Sequence, residues 1–147
     1  MNTRPILLVE DSQDDVELTV IALTEAKITN PVVVARNGVE ALDYLFGTGA
    51  HAGRDVKEQP VVVFLDIKLP LLNGMDVLQR MREDERTRRT PVVMLTSSTE
   101  QADIIRTYDL GVNSYVRKPV DFDTFVSAAR QLGLYWTVLN EPPDEPL

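Results

Sequence analysis

The feature of this chain that most restricts its fold is a set of short apolar runs that do not alternate. Ile6–Val9, Val32–Ala35, Val61–Leu65 and Val92–Leu95 are nearly unbroken stretches of Val, Ile and Leu. A strand with one face in water alternates apolar and polar residues, whereas a strand buried on both faces does not. Strands of the second kind belong to parallel sheets covered by helices on each side. A fifth run, Ser114–Val116, is shorter and takes its place as a strand from its position in the order.

Helix-like segments fill the intervals. Ser12 followed by Asp15 resembles a capping box, whose hydroxyl and carboxylate satisfy free backbone N–H groups, and Val16, Val20, Leu23 and Ala26 then recur at helical spacing. Val39, Leu42 and Leu45 predict a second helix, Met75, Leu78 and Met81 a third over Gly74–Glu83, and Ile104, Ile105 and Tyr108 a fourth over Gln101–Leu110. Phe122, Phe125, Ala129, Leu132 and Trp136 form one long stripe of a last helix. Strand and helix thus alternate five times, the pattern of an α/β domain. Right-handed crossovers and a length of 147 residues favour a flavodoxin-like, doubly wound five-stranded parallel sheet in the order 2-1-3-4-5, with helices on both faces. One domain over residues 1–140 is expected, followed by an acidic, Pro-rich tail at 141–147. That tail and the Gly47–Pro60 loop are the segments expected to be mobile.

The formal charge of −8 argues against a nucleic-acid partner and against anionic membrane surfaces. The chain has no cysteine, which excludes disulfides and thiolate metal sites. No apolar stretch approaches the roughly 18 residues of a membrane span, and Met1–Pro5 leads into a strand without signal-peptide architecture. A cytoplasmic location is the expectation.

In doubly wound sheets the functional site lies beyond the carboxyl ends of the strands, at the switch point between the first and third. The residues just past each run are therefore informative. Glu10 and Asp11 follow the first, Asp66 the third, Thr96 with Ser97 and Ser98 the fourth, and Lys118 with Pro119 the fifth. Taken singly, each has an ordinary structural reading: a helix cap, a turn residue or a surface charge. Taken together, three carboxylates, a hydroxyl and an ammonium converge on one edge. Clustered carboxylates repel unless neutralised, and a hard cation such as Mg²⁺ with oxygen ligands does this. Asp66 in that setting can attack phosphorus to form an acyl phosphate, with Thr96 and Lys118 placed to stabilise the transferring oxygens.

ILLVEDSQDD, VVVFLDIKLPLLNGMDVLQRMR, PVVMLTSS and NSYVRKPVD, in that order over Ile6 to Trp136, resemble the receiver domains of bacterial two-component response regulators. Pro70 and Gly74 extend the match into the loop after Asp66. The resemblance implies that Asp66 is the phosphoacceptor. It also implies that Glu10 and Asp11 organise Mg²⁺, with Asp11 the direct ligand, and that the Lys68 backbone carbonyl joins them. Thr96 corresponds to the switch hydroxyl, Lys118 to the site lysine and Tyr115 to the aromatic switch position. Phosphorylation then draws the Thr96 hydroxyl inward and frees space for the Tyr115 ring, altering the surface of the fourth helix, fifth strand and last helix.

FGTGAHAGRDVKEQP and YWTVLNEPP resemble, more narrowly, single-domain regulators that partner bacterial phytochrome histidine kinases. The partners so implied are a sensor histidine kinase and a downstream protein, because no output domain follows in the sequence. A homodimer through the fourth helix, fifth strand, last helix and the C-terminal residues Tyr135, Trp136, Val138 and Leu139 is expected, although these residues alternatively cap the domain's own core. Lys68 stands where a small or polar residue is usual in the family, and its effect on acyl-phosphate lifetime is an open expectation.

Other readings fit less well. A dehalogenase-type aspartyl phosphatase needs a second Asp two residues after the nucleophile, and Lys68 stands there. A flavodoxin needs a hydroxyl-rich phosphate loop where Glu10 and Asp11 lie, and His51, the single histidine, sits in a Gly/Ala-rich loop unlike a phosphotransfer helix. No enzymatic activity beyond self-phosphorylation and self-dephosphorylation is expected. A relay intermediate that passes the phosphoryl group to a histidine phosphotransfer protein remains an alternative.

Overall fold

The computed structural model describes residues 4–119 and 121–143. Five strands, β1 (Ile6–Val9), β2 (Val32–Ala35), β3 (Val62–Leu65), β4 (Val92–Thr96) and β5 (Ser114–Arg117), alternate with helices α1 (Gln13–Glu25), α2 (Gly38–Phe46), α3 (Gly74–Glu83), α4 (Gln101–Asp109) and α5 (Phe122–Leu134). All pairings are parallel and the order is β2-β1-β3-β4-β5, as expected. The strand ends differ from the apolar runs by no more than a residue.

The continuous runs are explained by the two layers of core. Leu7, Val9, Val63, Leu65, Val92 and Met94 face α2 and α3, where they meet Leu45, Leu78 and Met81. Their neighbours Ile6, Leu8, Val62, Phe64 and Val93 point the other way, onto Val16 and Leu23 of α1 and onto Trp136. Gly133 allows α5 to approach α1 closely, because a Cβ there would stand 2.4 Å from Leu23 Cδ2. Burial at this density on both faces is what stabilises such a sheet.

Several helix stripes are turned differently from the sequence pattern. In α1 the buried positions are Val16, Thr19, Ala22 and Leu23, while Val20 is exposed. In α4 the buried residue is Thr107, and Ile105 and Tyr108 face outward at 54% and 52% exposure. The C-terminal apolar residues divide between the two roles considered for them. Trp136 joins the domain's own core, whereas Tyr135, Val138 and Leu139, on a π-helical turn over Tyr135–Leu139, stay exposed.

The Gly47–Pro60 loop, expected to be loose, is tied back onto α2. Arg54 donates to the carbonyls of Tyr44 at 2.5 Å and Leu45 at 3.2 Å, capping the C-terminal end of that helix, and its guanidinium lies 4.1 Å from the Tyr44 ring centre. Of the tail, Glu141–Pro143 has no regular structure, and Asp144–Leu147 lie outside the described residues. Among the described residues no helix is long and apolar enough to cross a membrane.

Candidate functional site

The carboxyl edge of the sheet gathers the residues singled out above. Glu10 leaves β1 with its N–H bonded to Ala35 O at 2.9 Å, and Asp66 leaves β3 with its N–H on Val9 O at 3.2 Å. The Lys118 N–H reaches Thr96 O at 2.7 Å, which closes the far side of the edge. Gly74 lets α3 begin directly beneath Asp66, because a Cβ there would lie 2.0 Å from the Asp66 carbonyl oxygen. The β3–α3 loop therefore folds tightly round the aspartate, and Gly74 N–H donates to Ile67 O at 2.8 Å.

Lys118 is the centre of the charge arrangement. Its ammonium donates to Asp66 Oδ2 at 2.8 Å, to Asp15 Oδ2 at 2.8 Å and to Glu10 Oε1. Burial alone pulls the ammonium toward its neutral form, but the bonds to Asp15, Asp66 and Glu10 outweigh it and raise its pKa above the ordinary lysine value. Glu10 is raised from the ordinary carboxylate range, chiefly because it is buried and only partly because of repulsion from Asp66. One ammonium is thus shared among three carboxylates.

Oxygens of Glu10, Asp11 and Asp66 all lie within 4.8 Å of one another, with Asp11 exposed and the other two buried. Such an all-oxygen cluster, open on the Asp11 side, fits a hard divalent cation that keeps part of its water shell. Asp66 Oδ1 also accepts the backbone N–H of Lys68 at 3.3 Å, while the Lys68 side chain is exposed.

The hydroxyl side of the site runs through Ser98. Thr96 is fully buried, and its Oγ1 accepts the Ser98 N–H at 3.3 Å. Ser98 O accepts from the Tyr115 hydroxyl at 3.0 Å, and Ser98 Oγ donates to Asp103 Oδ2 of α4 at 2.6 Å. Burial raises the Tyr115 phenol above its ordinary pKa and keeps it a donor. Thr96, Tyr115 and the start of α4 are therefore joined through one serine, a connection the sequence reading did not include.

Asp15 was missed as a site residue. Its type and position suggested a reciprocal capping box, but only half of the box forms. Ser12 Oγ accepts the Asp15 N–H at 3.3 Å, whereas the Ser12 N–H is taken by Glu10 Oε2 at 3.1 Å. The Asp15 carboxylate is thereby released to Lys118. The available signal was its position one helical turn after Asp11, on the face toward the strand ends.

Solved structures resemble the whole chain. The phosphorylated cyanobacterial phytochrome response regulator RcpA matches with a TM-score of 0.90 at 31% identity, over 97% of this chain and all of that one. The Mn²⁺-bound form of response regulator Rcp1 matches with a TM-score of 0.89 at 29% identity, over 96% of this chain and 99% of that one. Rcp1 of Synechocystis sp. is 30% identical in sequence over 89% of this chain and 87% of its own length. The bacteriophytochrome response regulator RtBRR is 51% identical over 98% of this chain and 86% of that one, with a TM-score of 0.77. The family described as the response regulator receiver domain matches residues 6–130, a span that holds all five strands and every residue of the edge just described. On that match, and on three carboxylates gathered about one lysine at the carboxyl ends of a β2-β1-β3-β4-β5 sheet, the chain belongs to the response regulator receiver domain family.

Proposed function

We propose that this chain signals by accepting a phosphoryl group on Asp66 from a sensor histidine kinase, with a bacterial phytochrome as the kinase type. The observation that carries the reading is the joint hold of Lys118 on Asp66, Glu10 and Asp15, beside an oxygen cluster open to a cation. The phytochrome assignment is supported by the likeness to RcpA and RtBRR.

An Asp66 carboxylate oxygen forms the new O–P bond while the donor's bond to phosphorus breaks, and the donor atom keeps that electron pair. Lys118 holds Asp66 in place and pairs with a phosphoryl oxygen as charge moves outward. Mg²⁺ held by Asp11, Glu10, Asp66 and the Lys68 carbonyl would supply the positive charge that draws the phosphoryl oxygens to the carboxylate. The Thr96 hydroxyl turns from the Ser98 amide toward the phosphoryl group. That exchange shifts the Ser98 carbonyl on which the Tyr115 hydroxyl rests, and so reaches α4.

The output is a protein contact through α4, β5 and α5, including a second copy of this chain. Exposed Ile105, Tyr108, Tyr135 and Leu139 support that reading, as apolar area of this kind marks interaction surfaces. The protein is a phosphoacceptor rather than an enzyme acting on other substrates, and it works in the cytoplasm.

Incubation with a small phosphodonor and Mg²⁺, followed by intact-mass measurement, should add one phosphoryl group that Asp66→Asn abolishes. Profiling against histidine kinases then identifies the cognate donor. Absence of labelling by every donor would remove the proposal.

A further inference from the structure

A lysine ammonium has three N–H groups to give, and Lys118 spends all of them on carboxylates. They go to Asp66 Oδ2 at 2.8 Å, to Asp15 Oδ2 at 2.8 Å and to Glu10 Oε1. With its side chain 10% exposed, Lys118 keeps no donor in reserve. Phosphoryl transfer nevertheless asks it for a fourth partner. In the function proposed above, on which this inference rests, Lys118 pairs with a phosphoryl oxygen during transfer. The transition state for such a step is loose, with little of the new O–P bond formed, so Asp66 keeps most of its charge and its hold on the ammonium. One of the other two carboxylates must therefore give up its hydrogen bond.

The two are held very differently. Glu10 is 5% exposed and both its oxygens are engaged, Oε1 by Lys118 and Oε2 by the Ser12 N–H at 3.1 Å. Without the ammonium its charge would be stranded where water does not reach, which is costly. Asp15 is 27% exposed, and among the described residues Lys118 is the one partner of its carboxylate. Water can take the place of the ammonium there at little cost. The backbone of Asp15 is secured independently of that carboxylate. Its N–H is capped by Ser12 Oγ at 3.3 Å, and its carbonyl accepts the Thr19 hydroxyl at 2.8 Å. The first turn of α1 therefore keeps its shape when the carboxylate lets go.

We propose that Asp15 is a positioning residue that slows phosphoryl acceptance, because it occupies the one Lys118 hydrogen that a phosphoryl oxygen must take over. During transfer the Asp15 carboxylate is displaced into water, while Lys118 keeps Asp66 and Glu10. The O–P bond still forms at Asp66 as the donor's bond to phosphorus breaks, and Asp15 neither gains nor loses a proton. A tie that served only to fasten α1 to the segment after β5 would have the opposite signature. Its loss would loosen the site and slow the transfer, whereas the loss of a competitor speeds it.

Labelling of the full chain by acetyl phosphate in Mg²⁺, followed over time by intact mass, gives the second-order rate constant that tests this. Asp15→Asn keeps the shape of the side chain without its charge and should accept the phosphoryl group roughly threefold faster or more. Asp15→Glu restores a carboxylate on the same turn and should fall back toward the wild-type rate. Asp14→Asn removes an exposed charge next door that has no hold on Lys118, and should stay near wild type. A rate for Asp15→Asn equal to or below wild type overturns the proposal. So does an equal gain in Asp14→Asn, which would show a response to net charge alone, or in Asp15→Glu, which would show that the carboxylate is not the competitor. These results leave the phosphoacceptor reading standing, whereas a wild-type chain that no donor labels removes both.

Discussion

The Lys118 ammonium donates to Asp15 Oδ2 at 2.8 Å, joining the first turn of α1 to the segment after β5 across 103 positions of sequence. The same ammonium offsets the nearly buried carboxylates of Glu10 and Asp66. Removing it leaves those charges without a counter-ion, which typically destabilises a fold by roughly 3–5 kcal/mol when the pair is fully buried. Lys118→Met should lose somewhat less than that, because Asp11 is open to water, and part of the loss should return when Mg²⁺ is added. Urea unfolding in chelator and in Mg²⁺ measures both quantities. Asp15→Asn keeps an acceptor on a half-buried position and should cost about 1 kcal/mol or less.

Mg²⁺ itself should stabilise the folded chain by mass action. At a free concentration one hundred times its dissociation constant the gain is roughly 2.7 kcal/mol. Asp11→Asn removes the exposed carboxylate of the cluster and should abolish most of that increment while leaving stability in chelator unchanged or improved, as one repelling charge is gone. Thermal unfolding with and without Mg²⁺ distinguishes the variants, and an undiminished Mg²⁺ response in Asp11→Asn would reject the assignment.

What could be read from the sequence, and what could not, follows from the range of the interactions. The strands were legible because Leu7 and Leu8 lie on opposite faces and both are buried, so their runs carry the signature of the fold locally. The placement of Glu10, Asp11, Asp66, Thr96 and Lys118 was legible because each ends a strand or follows one within two residues, and strand order then brings them together. Asp15 was not, because its contact with Lys118 is made between distant segments and its residue type has a satisfactory local reading as a cap. The orientation of α4 was illegible for a related reason. Ile105 and Tyr108 have helical spacing, and spacing defines a stripe without saying whether the core or the solvent receives it. The buried position of α4 is instead Thr107, whose hydroxyl is satisfied by Ile104 O at 2.9 Å.

Two glycines should respond differently to the same substitution. A Cβ on Gly74 meets backbone, with Asp66 O at 2.0 Å and Ile67 Cα at 3.0 Å, whereas one on Gly133 meets the ends of Leu23 and Ile28 side chains. Side-chain ends can move, and alanine also regains up to about 1 kcal/mol of helix propensity in α5. Gly133→Ala should therefore be near neutral, while Gly74→Ala should lose about 2–3 kcal/mol and slow phosphoryl acceptance by displacing Asp66. Equal losses in chemical denaturation would contradict the geometric distinction.

Tyr115→Phe removes one hydrogen bond, to Ser98 O at 3.0 Å, and keeps the ring. The expected loss is about 1 kcal/mol. Because Ser98 also holds Thr96 and Asp103, the amides of Ser98 and of the first turn of α4 should exchange with solvent faster, with labelling of Asp66 by a small phosphodonor unchanged. Unaltered exchange at Ser98 would show that the phenol does not anchor this loop.

Acid should act at Asp84 through its neighbour Arg86. Two hydrogen bonds from the Arg86 side chain and one from its backbone hold the Asp84 pKa down to about 2, against an ordinary value of 3.8. A carboxylate whose folded pKa is depressed stabilises the fold above the unfolded value, and that contribution disappears as pH falls through the folded one. The stabilising increment should thus be complete above pH 3.8 and lost toward pH 2. Both groups are partly exposed, at 47% and 31% for the two side chains, so solvent and salt screen the pair to well below about 1 kcal/mol. Arg86→Gln should bring the Asp84 titration, followed by carboxyl carbon NMR, back toward 3.8, with a correspondingly small rise in the acid midpoint of unfolding. An Asp84 titration unchanged by Arg86→Gln would mean that the side-chain bonds are not what lowers it.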